Sequence, residues 1–231
     1  MIFTDIFFSG KETNLPVPDP SQIIQSFCNC FAEIRNDRGN PVIVYRHIQE
    51  QDARIHLIQI RNFLLTGIGH REIGFFTGKE YIGENHLYPD YRKKVFIDYC
   101  DAHDLIYEPY IQEGVFQISS GYEMACNLIN GGKLPTAIFA ASDPIAFGAI
   151  KAFTEHGIRV PEDISIVGFD DINMAQFSAP PLTTVSAPAY QMGMYGASIL
   201  QHLLREHPGP ALKIKLPCKL VVRNSCKAIE K

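Results

Sequence analysis

Several features that would direct a function are missing from this 231-residue sequence. Basic charge is not in excess: 21 Lys and Arg face 25 Asp and Glu, a net charge of −4 with a pI near 6.1. Gripping a phosphate backbone calls for the opposite balance, so these residues alone make a poor DNA-binding surface. No apolar run reaches the roughly eighteen residues that a membrane-spanning helix needs. The opening Ile2-Phe3-Thr4-Asp5-Ile6-Phe7-Phe8 has no positive segment before it and no small-residue cleavage site after it, and reads as a strand. A cytoplasmic protein with no membrane partner is expected.

Metal and catalytic signatures are also lacking. The six cysteines, at 28, 30, 100, 126, 218 and 226, show no C-x-x-C spacing, and the eight histidines include no H-x-x-x-H pair. Reduced, buried thiols and no metal are expected. There is no G-x-S-x-G elbow and no cysteine in a catalytic context. Asp170 and Asp171 are adjacent carboxylates at a strand end, a poor arrangement for attacking one ligand from two sides. Gly67-Ile68-Gly69 precedes a strand, whereas a nucleotide loop follows one. The expectation is a protein that is not an enzyme, with no catalytic residue and no cofactor.

What is present is a core-forming composition, 46% hydrophobic, arranged as short β-rich runs alternating with helical periods. Thr136–Ala141 reads as a strand that breaks at Ser142-Asp143. A helix runs from Pro144 to about His156, where proline suits the first turn, Ser142 or Asp143 can cap it, and Gly157 ends it. Ile164–Phe169 is the next strand, completing a βαβ unit of about 35 residues before Asp170-Asp171. Upstream, a helix over Arg54–Gly67 leads to the strand Ile73–Thr77, then a loop from Gly78 to about Pro89 and a helix over Tyr91–Asp104. Downstream, Gln191–Arg205 reads as a helix, with short strands at Leu212–Leu216 and Leu220–Val222. The fold class is α/β, with parallel sheets flanked by helices. Ligands of such sheets bind beyond the carboxyl ends of the strands, which singles out Gly78 onward, Ser142-Asp143 and Asp170-Asp171. On spacing alone, Ser142 and Asp170 serve equally well as helix caps.

Several longer phrases are more specific. Val160-Pro161-Glu162-Asp163-Ile164-Ser165-Ile166-Val167-Gly168-Phe169-Asp170-Asp171, Pro180-Pro181-Leu182-Thr183-Thr184-Val185 and Leu220-Val221-Val222-Arg223-Asn224-Ser225 resemble, in order, signatures of the LacI/GalR repressors' effector domain. Ala141-Ser142-Asp143 is similar to that family's pair at the sugar, and Arg92-Lys93-Lys94-Val95-Phe96 to its Arg-x-x-Gly-Phe, with Val95 in place of glycine. The resemblance implies a two-lobed, periplasmic-binding-protein-like fold that takes a small carbohydrate in the interlobe cleft. About 1–88 would form part of the amino-terminal lobe and about 89–231 mainly the carboxyl-terminal lobe.

By the same resemblance Arg92 hydrogen-bonds sugar hydroxyls with its fork of donors, Phe116 packs on the apolar face of the ring, and Ser142, Asp143 and Asp170 bond its edge. A solvated helix arginine and a core phenylalanine are the alternatives for Arg92 and Phe116. Gln51 falls where the family often has an aspartate, with Asp52 beside it. The run Phe116–Ala125 is similar to repressors of galactose and evolved β-galactosidase systems, which points to a galactoside. The family acts as a homodimer and reaches DNA through a helix-turn-helix that has no counterpart in these residues; Met1–Phe8 resembles a strand well inside the family's amino-terminal lobe, so that lobe is expected to be incomplete. A sugar-binding protein of a transport system and a non-functional fragment of a regulator are the alternative readings.

Overall fold

The computed structural model describes residues 32–35, 41–44, 68–82, 86–88, 91–205, 214 and 216–229. The strand expected at the start of the chain, the helix over 54–67, Gln51, Cys28 and Cys30 lie outside them. The chain divides into two compact units, Met1–His47 with Pro188–Pro217, and Ile48–Ala187 with Cys218–Lys231. The first contains an antiparallel pair, β1 (Ala32–Arg35) and β2 (Pro41–Val44), and a helix at Ala189–Arg205.

The second unit is built on six strands: β3 (Ile73–Gly78), β6 (Ile111–Gly114), β7 (Ala137–Ala140), β8 (Ser165–Asp170), β9 (Thr183–Ser186) and β10 (Lys219–Val221). Their spatial order is β10-β9-β8-β7-β3-β6, parallel throughout except for β10, which runs antiparallel to β9. Three helices, α1 (Tyr91–Ala102), α2 (Ile118–Asn130) and α3 (Asp143–Glu155), cover the sheet.

Both faces of the sheet are buried, which is why its strands read as nearly continuous apolar runs. Alternate residues go to opposite faces. Phe75, Phe139, Val167 and Phe169 pack with Val95, Phe96 and Cys100 of α1, whereas Phe76, Ile138, Ala140 and Ile166 pack with the apolar sides of α2 and α3. The ring of Phe75 stacks on Phe96 at 5.1 Å and meets Phe139 at 5.0 Å. Truncating a wholly buried phenylalanine such as Phe139 to alanine removes about 3–5 kcal/mol in sites of this kind.

Helices α2 and α3 touch backbone to backbone. A Cβ at Gly148 would lie 2.0 Å from the Ile118 carbonyl oxygen, and one at Gly121 would lie 2.1 Å from that of Ile145. Ser142 is the N-cap of α3, its hydroxyl accepting a long bond of 3.5 Å from the Ile145 N–H. Gly157 then closes the helix with φ +74°, as Ile158 N–H donates to Phe153 O at 2.9 Å and Gly157 N–H to Thr154 O at 3.1 Å. The end of α1 uses the same motif with Asp104 in the glycine's place at φ +51°: Leu105 N–H donates to Cys100 O at 3.0 Å.

The structure departs from the sequence reading in several places, β6 and α2 being elements that the reading did not place. The helix expected over Tyr91–Asp104 ends at Ala102, because Asp104 adopts the left-handed turn. The stretch expected to be a loop from Gly78 to Pro89 carries a short antiparallel pair, β4 (Glu80–Ile82) and β5 (His86–Tyr88), with Glu80 opposite Tyr88. Ile214 and Leu216, the described positions of the strand expected over Leu212–Leu216, are not in a strand. Leu216 runs into Pro217, which has no N–H to offer a ladder.

After β10 the chain crosses the amino ends of the strands as a strap. The Ser225 hydroxyl accepts from Thr183 N–H at 2.8 Å and donates to the Ile166 carbonyl at 2.6 Å. Lys227 N–H donates to Ser165 Oγ at 3.1 Å, and its carbonyl accepts from His70 Nε2 at 3.1 Å. Ile229 N–H reaches the carbonyl of Ile68 at 2.8 Å.

Candidate functional site

The carboxyl ends of β3, β6, β7 and β8 lie side by side, and the residues that follow each strand meet above the sheet. Gly78 ends β3, Val115 and Phe116 follow β6, Ala141 and Ser142 follow β7, and Asp170 ends β8. Parallel sheets present ligands at this end.

Arg92, in the first turn of α1, is 8% exposed. Its Nη1 donates to the Ala141 carbonyl at 2.8 Å, and its guanidinium carbon sits 5.5 Å from the Phe116 ring centre and 5.3 Å from that of Phe169. Two aromatic faces stabilise the cation electrostatically, and the carbonyl fixes its rotation. These contacts hold the plane of the guanidinium fixed at the carboxyl ends of the strands.

Phe116 is half-buried and packs against the cores on both sides of the sheet. It owes its position to two small residues. A Cβ at Gly78 would come within 2.5 Å of the phenyl ring, so only glycine lets the ring lie across the end of β3. The Ser120 hydroxyl, at the start of α2, accepts from Val115 N–H at 2.9 Å and fixes the turn that carries the ring.

Asp170 has φ +110° and the next residue, Asp171, has φ +57°. Consecutive non-glycine residues in this region cost of order 1–3 kcal/mol each and persist only when their surroundings enforce them. The Asp171 carboxylate accepts from Arg223 Nη2 at 2.7 Å, the partner being the arginine of the Leu220–Ser225 phrase.

Asp143 is wholly buried, beneath the loop that follows β8. Its Oδ1 accepts from Thr184 Oγ1 at 2.6 Å and its Oδ2 from Ile172 N–H at 2.8 Å. Burial pushes the carboxyl up to about 7 against the pull of those two donors, and the charges of Asp170 and Asp171 add to the rise. On the rim, Glu113 accepts from Lys93 and pairs with Lys79 at 3.3 Å, and the bond from Lys93 leads the effects that hold its carboxyl below the usual range.

Of the residues singled out in the sequence, Arg92, Phe116, Ser142 and Asp170 therefore come to one end of one sheet. Asp143 is adjacent but is engaged inward, and Gln51 is outside the described residues. Phe169, Ser120 and Arg223 were not foreseen as parts of the site. Phe169 is a strand residue hard to tell from core, and Ser120 a helix residue of ordinary type. Arg223 is distant in sequence, and only its place in a recognisable phrase could have marked it.

Residues 64–226 match the family described as periplasmic binding protein-like domain. The chain is 36% identical to the HTH-type transcriptional repressor PurR of Haemophilus influenzae over 71% of its own length and 49% of the repressor's. It thus spans about half the length of that curated relative. A sugar-binding transcriptional regulator of the LacI family from Escherichia coli superposes with a TM-score of 0.63 at 28% identity, over 77% of this chain and 62% of the other. The Lac repressor dimer bound to operator and the anti-inducer ONPF gives 0.61 at 28% identity, over 78% and 59%. These relatives are transcription regulators, and among the described residues no helix is long and apolar enough to cross a membrane. The chain belongs to the periplasmic binding protein-like family, and within it to the effector-binding domains of LacI/GalR-type transcription regulators.

Proposed function

We propose that this chain senses a small carbohydrate, a galactoside by preference, for a cytoplasmic regulator whose complete form is a homodimer with a separate helix-turn-helix. The observation that carries the reading is the Arg92 guanidinium, buried between Phe116 and Phe169 and tied to the Ala141 carbonyl beside Ser142. A sugar edge needs planar donors and a carboxylate acceptor, and a sugar face needs an aromatic plane. Arg92, Asp170 and Phe116 supply these three things.

In this reading Ser142 adds a hydroxyl at the edge, while Asp143 acts indirectly through the loop after β8. Binding influences DNA only if the sugar favours one arrangement of the complete dimer over another.

The test is calorimetric titration of the protein with methyl β-galactoside, ribose and a nucleoside, followed by Arg92→Ala and Asp170→Ala with whichever binds. Each variant loses charged hydrogen bonds and should bind about 1.5–3 kcal/mol more weakly, roughly ten- to a hundredfold. Wild-type affinity in both variants removes the site, and binding of ribose or the nucleoside alone replaces the galactoside.

A further inference from the structure

The loop between β8 and β9, Asp171–Leu182, starts directly after Asp170 and is closed twice. Arg223 makes the first closure: Nη2 donates to Asp171 Oδ1 at 2.7 Å where the loop starts, and Nη1 donates to the Leu182 carbonyl at 2.8 Å where it ends. The Arg223 N–H is itself held by Thr183 Oγ1 at 2.9 Å. Asp143 makes the second, joining Ile172 N–H to the Thr184 hydroxyl. Both Arg223 and Asp171 are only 19% exposed at their side chains, so water screens the pair weakly. Asp143 fits beneath the loop because β8 has glycine at 168, where a Cβ would lie 2.3 Å from Asp143 Oδ1.

Asp170 precedes both clamps and holds φ +110°, a conformation that an aspartate leaves unless its neighbours are pinned. Asp171 and Ile172, the next two residues, are the ones pinned. We infer that Arg223 is a positioning residue for the effector: acting through Asp171, it holds the Asp170 carboxylate where a ligand hydroxyl meets it, without touching the ligand. This rests on the reading of Asp170 as an effector contact.

Two measurements test it. Hydrogen exchange of the ligand-free protein should rise about tenfold or more over residues 170–182 in Arg223→Met, and also in the milder Asp171→Asn, with α2 and α3 protected as in wild type. Arg223→Lys keeps the charge toward Asp171 but has no fork to span the loop, and should fall between. Affinity for methyl β-galactoside should drop about tenfold in Arg223→Met yet not fall further when Arg223→Met is added to Asp170→Asn, since one contact is lost in both.

Unchanged exchange over 170–182, exchange raised uniformly through the sheet, or an equal loss of affinity in the Asp170→Asn background overturns the inference. If the exchange result holds and Asp170→Asn binds as wild type does, the effector reading of Asp170 fails and the clamp stands as a loop restraint.

Discussion

Asp143 buries an ionisable group out of reach of bulk solvent, and this makes stability depend on pH in a calculable direction. Its carboxyl is raised to about 7 in the folded protein by burial, against an ordinary value of 3.8. Between those values the folded chain holds a proton that the unfolded chain has released, so stability falls as pH rises from about 4 to 7. When protonated, the acid can reverse the 2.6 Å bond and donate to Thr184 Oγ1. His70 acts in the opposite sense: burial lowers its pKa, so its contribution is lost as pH falls below its ordinary 6.5.

Comparison of wild type with Asp143→Asn cancels the histidine. The deficit of the variant in urea unfolding should be largest at about pH 4, shrink steadily as pH rises to about 7 and level off by about pH 8; a deficit that does not vary with pH sinks this account. At this scale the sequence is informative about residue types and poor about direction. Asp143 sits beside Ser142 in one motif, yet its carboxylate turns inward because two donors wait there, one on β9 and one after β8. No spacing rule brings Thr184 and Ile172 to the same carboxyl group.

Among the elements, the α2–α3 crossing is the least tolerant of change. Gly148→Ala in an ordinary helix gains about 1 kcal/mol from propensity. Here the added Cβ meets the Ile118 carbonyl at 2.0 Å, and backbone cannot swing aside as a side-chain tip can. Gly148→Ala should therefore destabilise by about 2–4 kcal/mol, with a clear drop in melting temperature. Equal or higher stability would show that the helices separate freely.

The unit from Thr136 to Phe169 was legible because β7, α3 and β8 each carry period, cap and stop together, and both strands are buried on both faces. β6 was not legible: Ile111-Gln112-Glu113-Gly114 is a four-residue edge strand with one large apolar side chain, and it forms only because β3 offers a parallel partner. The end of α1 was misplaced by two residues because aspartate is a less common left-handed terminator than glycine.

The described sheet unit forms a core on both faces of the sheet, and a ligand seated at the ends of its strands should stabilise it as a whole. Methyl β-galactoside at about a hundred times its dissociation constant should add about 2.7 kcal/mol, a few degrees in melting temperature. A cooperative transition that no sugar raises would separate folding from sensing. The family was legible in the phrases around Gly168–Asp171 and Pro180–Val185, because the site and its clamps draw on consecutive residues there.

The strap has a consequence for the order in which this molecule comes into being. Ser225 completes the hydrogen bonding of Ile166 and Thr183, inside a sheet whose other members were translated up to about 150 residues earlier. A nascent chain that has exposed β3, β7, β8 and β9 has apolar strands ready and their last partner still inside the ribosome. Until residues 219–229 emerge, that half-finished sheet is a client for chaperones, and a ribosome that stalls after β9 leaves a product marked for proteolysis.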